Sequence, residues 1–140
     1  MKALPFALVS TALICLLGCG GGSFLHQPTA DELVWNQRQY TVNMRWGNKV
    51  KVLSFVSRED RPTMIELLKR FEEYEITDYE IGIVDMNPDG ISADVLVIYR
   101  GYSEKNLYEI EMIEDQEWYW SEEKENWYLR PSVESLSIQK

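Results

Sequence analysis

The chain is poor in the residues that most often carry chemistry. It has two cysteines, Cys15 and Cys19, and one histidine, His26. All three sit near the N-terminus, so the rest of the chain offers no thiol for a disulfide, a nucleophile or a CxxC pair. The same shortage excludes a Ser/His/Asp set and a Cys/His metal cluster from the folded part. Basic residues are scarce as well: 14 Lys+Arg against 23 Asp+Glu give a formal charge of −9. Phosphate contacts run on lysine and arginine, so this balance disfavours nucleic acid and an anionic bilayer surface. The longest apolar run, Leu4 to Leu17, falls short of the roughly 20 residues a membrane span needs. Gly20-Gly21-Gly22 lies outside any strand-to-helix junction and reads as a linker, leaving no phosphate-binding glycine loop.

What is present begins with Lys2, the apolar run and Gly18, the pattern of a secretory signal peptide. Leu16-Leu17-Gly18-Cys19, with a cysteine directly after the small residue, resembles the lipobox of bacterial lipoproteins. That resemblance implies a signal peptide over residues 1–18, removed to leave a lipidated Cys19. The lipid would anchor the protein in the membrane of the cell envelope, with Gly20 pointing to the periplasmic face of the outer membrane. Two or three acyl chains hold firmly where one gives only marginal residence. Residues 19–28 then form a flexible tether, whose reach scales as about 5–6 Å × √n.

One domain is expected over residues 29–131. Thr29 and Glu32 have capping-box spacing, and a helix from Ala30 to about Trp46 follows. It carries Leu33, Val34, Gln37, Tyr40, Thr41 and Met44 along one side, with Trp35, Val42 and Trp46 on another. Lys49–Ser57 fits a strand or a short helix equally. Asp60 and Pro62 mark a helix start, with an apolar face through about Tyr74. From Ile76 the period drops to two: Tyr79, Ile81 and Ile83 alternate with Asp78, Glu80 and Gly82, and Ala93, Val95, Val97 and Tyr99 alternate with Asp94, Leu96, Ile98 and Arg100. A long strand from about Asn106 to Trp120 follows, with Tyr108, Ile110, Met112, Glu114, Gln116, Trp118 and Trp120 on one face. Trp127–Arg130 closes the sheet, and residues 132–140 read as a flexible tail. Helices followed by a four-stranded antiparallel meander make an α+β pattern.

This element order, with Arg45-Trp46-Gly47, Ile76-Thr77-Asp78-Tyr79, Gln116-Glu117-Trp118 and Trp127-Tyr128-Leu129, resembles the NTF2-like superfamily. The resemblance implies N-terminal helices packed on a bent four-stranded sheet that wraps into a cone, and a short helix within Lys49–Ser57. Enzymes of that superfamily work by acid–base chemistry inside the cone, whereas other members only bind or assemble, so fold alone assigns no activity.

Three constellations bear on chemistry. Glu114 and Gln116 are polar residues on an apolar strand face. With Trp46 and Trp118 they define a candidate pocket, in which a buried Glu114 would gain a raised pKa and serve as a base. The same carboxylate paired with Arg100 or Arg45 would be purely structural. Asp85–Gly90 opens like a calcium loop, but Leu96 stands where the motif needs a bidentate glutamate, and the same residues suit a hairpin turn. Trp118, Tyr119, Trp120, Trp127 and Tyr128 suggest a platform for sugars, or core packing split by strand parity. The expectation is a lipid-anchored envelope protein that binds a protein partner or a small ligand, without catalysis, metal or cofactor. The alternative is a sensor or acid–base enzyme with a cone pocket around Glu114.

Overall fold

The computed structural model describes residues 26–140. The segment expected to be a signal peptide and Cys19, the expected site of lipid attachment, lie outside the described residues. Helix α1 spans Ala30–Arg45 and starts as its sequence predicts. The Thr29 side chain accepts from the Glu32 amide, and the Glu32 carboxylate accepts from the Thr29 amide, closing the capping box. Gly47, at φ 64°, takes the left-handed conformation that lets the chain leave the helix. The ambiguous segment then forms a short helix, α2, over Lys49–Leu53, and α3 follows over Arg61–Phe71 with its proline in the first turn. Five strands complete the chain: β1 Tyr74–Met86, β2 Ser92–Ser103, β3 Glu109–Ser121, β4 Asn126–Arg130 and β5 Leu136–Gln139.

The α+β class stands, but the cone does not. The strands are hydrogen-bonded in the order β1-β2-β3-β4, with β5 on β3, and this path never closes on itself. β4 and β5 follow one another along the edge of β3 that β2 leaves free. The sheet is therefore open, with helices on one face, and the resemblance to the NTF2-like superfamily fails on its defining feature. A fifth strand is also added. Residues 132–140, expected to fray, instead carry β5, in which Leu136 is buried opposite Glu114.

The core lies between the helices and what we call the inner face of the sheet. Leu33, Tyr40 and Met44 of α1 and Met64, Leu67 and Phe71 of α3 meet Val95, Val97, Tyr99, Met112 and Trp118. Edge-to-face packing of Tyr40 on Trp118 (5.8 Å) and of Phe71 on Tyr99 (5.2 Å) ties each helix to the strands. Strict alternation along β2 and β3 puts every second residue here, as their sequences predict.

β1 departs from its predicted alternation. Its register to β2 jumps between Ile76 and Asp78, and again between Ile81 and Val84. Each jump is a bulge that places one extra residue in β1 and flips the faces beyond it. Tyr79 and Ile81 stay inward, but Val84 and Met86 replace Ile83, which turns outward and is 89% exposed. The first bulge faces Gly101, where a Cβ would stand 2.0 Å from the Glu75 carbonyl oxygen. Only glycine fits at that crossing.

Candidate functional site

Glu114, Gln116 and Trp118 sit at alternate positions of β3, so all three point inward, and the structure brings them together. They form one hydrogen-bonded chain. The Trp118 indole donates to Gln116 Oε1 (3.1 Å), and Gln116 Nε2 donates to Glu114 Oε2 (2.8 Å). From α1, Gln37 Nε2 donates to Gln116 Oε1 and to Thr41 Oγ1. Two tyrosines complete the carboxyl's shell: Tyr40 donates to Oε1 at 2.7 Å and Tyr99 to Oε2 at 3.0 Å. Tyr40 and Tyr99 are the partners sequence reasoning missed. Both lie in phase with apolar neighbours, Tyr40 on α1 and Tyr99 on β2, so their hydroxyls carried no periodic signal.

Neither arginine expected beside Glu114 is there. Arg100 lies on the opposite face of the sheet with Glu80 and Glu111. The Arg45 guanidinium stacks over the rings of Trp46 (5.0 Å) and Tyr79 (6.0 Å). Trp46 also leaves the expected pocket: it caps the C-terminus of α1 and is 72% exposed. Glu114 is 1% exposed, and its hydrogen-bond partners are the neutral side chains of Tyr40, Tyr99 and Gln116.

Burial pushes the Glu114 carboxyl above the usual carboxylate range, while hydrogen bonds from Gln116, Tyr40 and Tyr99 pull the other way. Burial, and then the neighbouring Glu114 charge, hold both tyrosine hydroxyls well above their ordinary pKa. The cluster can accommodate the proton. Protonated at Oε1, Glu114 can donate to Tyr40, whose hydroxyl then has Met64 Sδ, 3.9 Å away, as its acceptor. Chemically this is a clasp between α1 and the sheet: each Glu114 oxygen already has a donor, and aromatic and apolar side chains fill the space around it.

The aromatic run divides by parity. Trp118, Trp120 and Trp127 are buried in the core, with Trp120 edge-on to Trp127 at 5.8 Å. Tyr119 and Tyr128 pair across β3 and β4 on the other face, and Arg130 lies over the Tyr119 ring. They border a polar cleft of about 710 Å³ in which arginines and lysine alternate with Glu59, Asp60 and Glu123.

Asp85–Gly90 is the tip of the β1–β2 hairpin. The Asn87 amide donates to the Ser92 carbonyl, and Asp89 accepts from the Ile91 and Ser92 amides. Hydrogen bonds from the Ser92 hydroxyl and the Ile91 amide hold the Asp89 carboxyl below its ordinary range. Its oxygens face its own turn, as in an Asx turn.

Among the described residues, no helix covers the outer face of the sheet. A groove of about 610 Å³ runs there, with Ile83 and Leu96 exposed beside Asp85, Asp94 and Asp115, and the β4–β5 connection along one side. Among the described residues, no group of three or more His, Cys, Asp or Glu side chains is placed to hold a metal ion. No described helix is long and apolar enough to cross a membrane. Neither a protein-family model nor a curated protein sequence matches the chain.

Proposed function

We propose that this protein is a non-catalytic interaction module, held at a membrane of the cell envelope by lipid on Cys19, that meets a protein partner with the outer face of its sheet. One observation carries the reading. The polar residues of the inner face are consumed in joining α1 to β2 and β3, while the outer face exposes Ile83 and Leu96 among carboxylates. An apolar patch ringed by polar groups is the ordinary mark of a docking site. Support for the anchor comes from Leu16-Leu17-Gly18-Cys19 after its apolar run; that for non-catalysis comes from the closed shell of Glu114.

Two measurements test the two halves. Mass spectrometry of the protein from its native membrane reads the anchor: an acylated Cys19 is expected, and an unmodified thiol there contradicts it. A photo-crosslinker replacing Ile98, on the outer face of β2, reads the docking face. Crosslinks to one protein partner, diminished by Ile83→Ser, are expected; crosslinks that ignore Ile83→Ser contradict the assignment.

A further inference from the structure

We infer that the outer-face groove takes a lysine- or arginine-bearing extended segment of a protein partner, with an aliphatic side chain on Ile83 and Leu96 and cationic groups on Asp85, Asp94 and Asp115. This rests on the reading of the outer face as the working face and adds the chemistry of what binds there.

The backbone is arranged to expose the apolar floor. A regular β1 would turn Ile83 inward, in phase with Tyr79 and Ile81. The second bulge moves the register from Ile81 opposite Val97 to Val84 opposite Val95, and so places Ile83 in the groove. Gly82 makes this possible, because a Cβ there would come within 2.9 Å of the Leu96 carbonyl oxygen. Bulges that re-aim one side chain recur beside binding sites.

The carboxylates are arranged at a cost. Asp85 lies directly opposite Asp94, Asp94 opposite Glu117, and Leu96 opposite Asp115. Like charges facing across strands destabilise a sheet unless a cation joins them. Among the described residues, the one cation lining the groove, Arg130, is engaged: it donates to Glu117 and stacks on Tyr119. None of the ion pairs among the described residues includes Asp85, Asp94 or Asp115.

The alternatives fit less well. A second copy would bring the same acidic face and repel it. A purely apolar segment would desolvate three carboxylates without pairing them. Phosphate-bearing lipids and nucleic acids meet the wrong sign of charge. A cationic segment with one aliphatic anchor satisfies both halves of the groove, and complementary charge would also speed its encounter.

The test uses the full chain in a non-ionic detergent and a short labelled peptide of alternating lysine and isoleucine, read by fluorescence anisotropy against detergent alone. Saturable binding is expected, weakened about tenfold by Ile83→Ser and again by Asp94→Asn with Asp115→Asn. Replacing the peptide's isoleucines by serine should weaken it comparably. Equal binding of that serine peptide would reduce the effect to general attraction toward an acidic protein and overturn the inference, as would displacement of the peptide by spermine or calcium at equal charge. The Ile98 crosslinker separates the two levels. A captured segment without lysine or arginine, lost on Ile83→Ser, sinks the cationic inference and leaves the docking face standing. Capture indifferent to Ile83→Ser sinks both. A basic captured segment lost on Ile83→Ser supports both.

Discussion

Glu114 and Asp115 are neighbours in sequence, and the pleat of β3 sends them into opposite worlds. Glu114 enters the inner face, where two tyrosines and a glutamine satisfy its oxygens and the surrounding core excludes water. Asp115 enters the outer face, in a groove that it shares with Asp85 and Asp94. The first carboxylate is bound into the architecture; the second is available. Composition cannot distinguish them, but strand parity and helix coverage can. On the inner face the Glu114–Gln116–Trp118 chain is hydrogen-bonded throughout, while Gln37 Oε1 and the Trp127 indole N–H stay buried without a partner, each such group costing about 1–3 kcal/mol. Beside a groove open to solvent, Asp115 keeps its hydration, and the repulsion among the carboxylates there is relieved only when a cation joins them.

The contrast breaks most sharply at Trp118. Its indole is fully buried against Tyr40 and anchors the hydrogen-bonded chain, so Trp118→Ala should cost about 3–5 kcal/mol in chemical denaturation. A loss near zero would mean that the inner face is not the core. Gln116→Leu keeps the volume but strands the Trp118 indole and removes a donor from Glu114. About 1–3 kcal/mol should follow for each group left without a partner. A near-neutral result would show that the chain of hydrogen bonds is not what fastens α1 to β3.

The pH profile sharpens the same comparison. Because the folded state raises the Glu114 pKa above its unfolded value near ~4.3, the folded protein holds that proton more tightly. Its contribution to stability is complete below the unfolded pKa and is lost as pH rises through the raised folded value. Denaturation midpoints should therefore contain a component that falls over this window in the wild type and is absent in Glu114→Gln. Identical profiles for the two proteins would show that Glu114 does not titrate as its burial requires. The smallest effect belongs to the outer face: Ile83→Ser should change stability by no more than about 0.5 kcal/mol, as for other exposed sites. A larger loss would mean that Ile83 is packed and unavailable for docking.

These contrasts were unevenly legible in the sequence. The start of α1 was readable because the Thr29–Glu32 capping box is a local device. The inner faces of β2 and β3 were readable because alternation there is unbroken. Ile83 was misplaced for the same reason in reverse: a bulge changes parity without changing the alternation that precedes it. Glu114, Gln116 and Trp118 come from one strand, and the structure joins them in a buried hydrogen-bonded chain. Its long-range partners Tyr40 and Tyr99 depend on where α1 crosses the sheet, which no local pattern encodes. Trp46 was drawn into the pocket by its position at the end of the helix, but the short turn into α2 leaves its ring on the surface under Arg45. The open sheet and β5 likewise turn on strand pairing at long range. A Ser-rich ending gave β5 little signal beyond Leu136, which finds its place opposite Glu114.

The central claim is that the outer face meets the partner and the inner face only holds the fold. The most direct measurement is a paired photo-crosslinking experiment in cells making the full chain, with the crosslinker replacing Ile83 in one variant and Trp35 in the other. Both side chains are exposed, Ile83 on the outer face of the sheet and Trp35 on the helical side of the molecule. The account predicts a discrete protein crosslink from position 83 and none from position 35. A crosslink from position 35 with none from position 83 would contradict it.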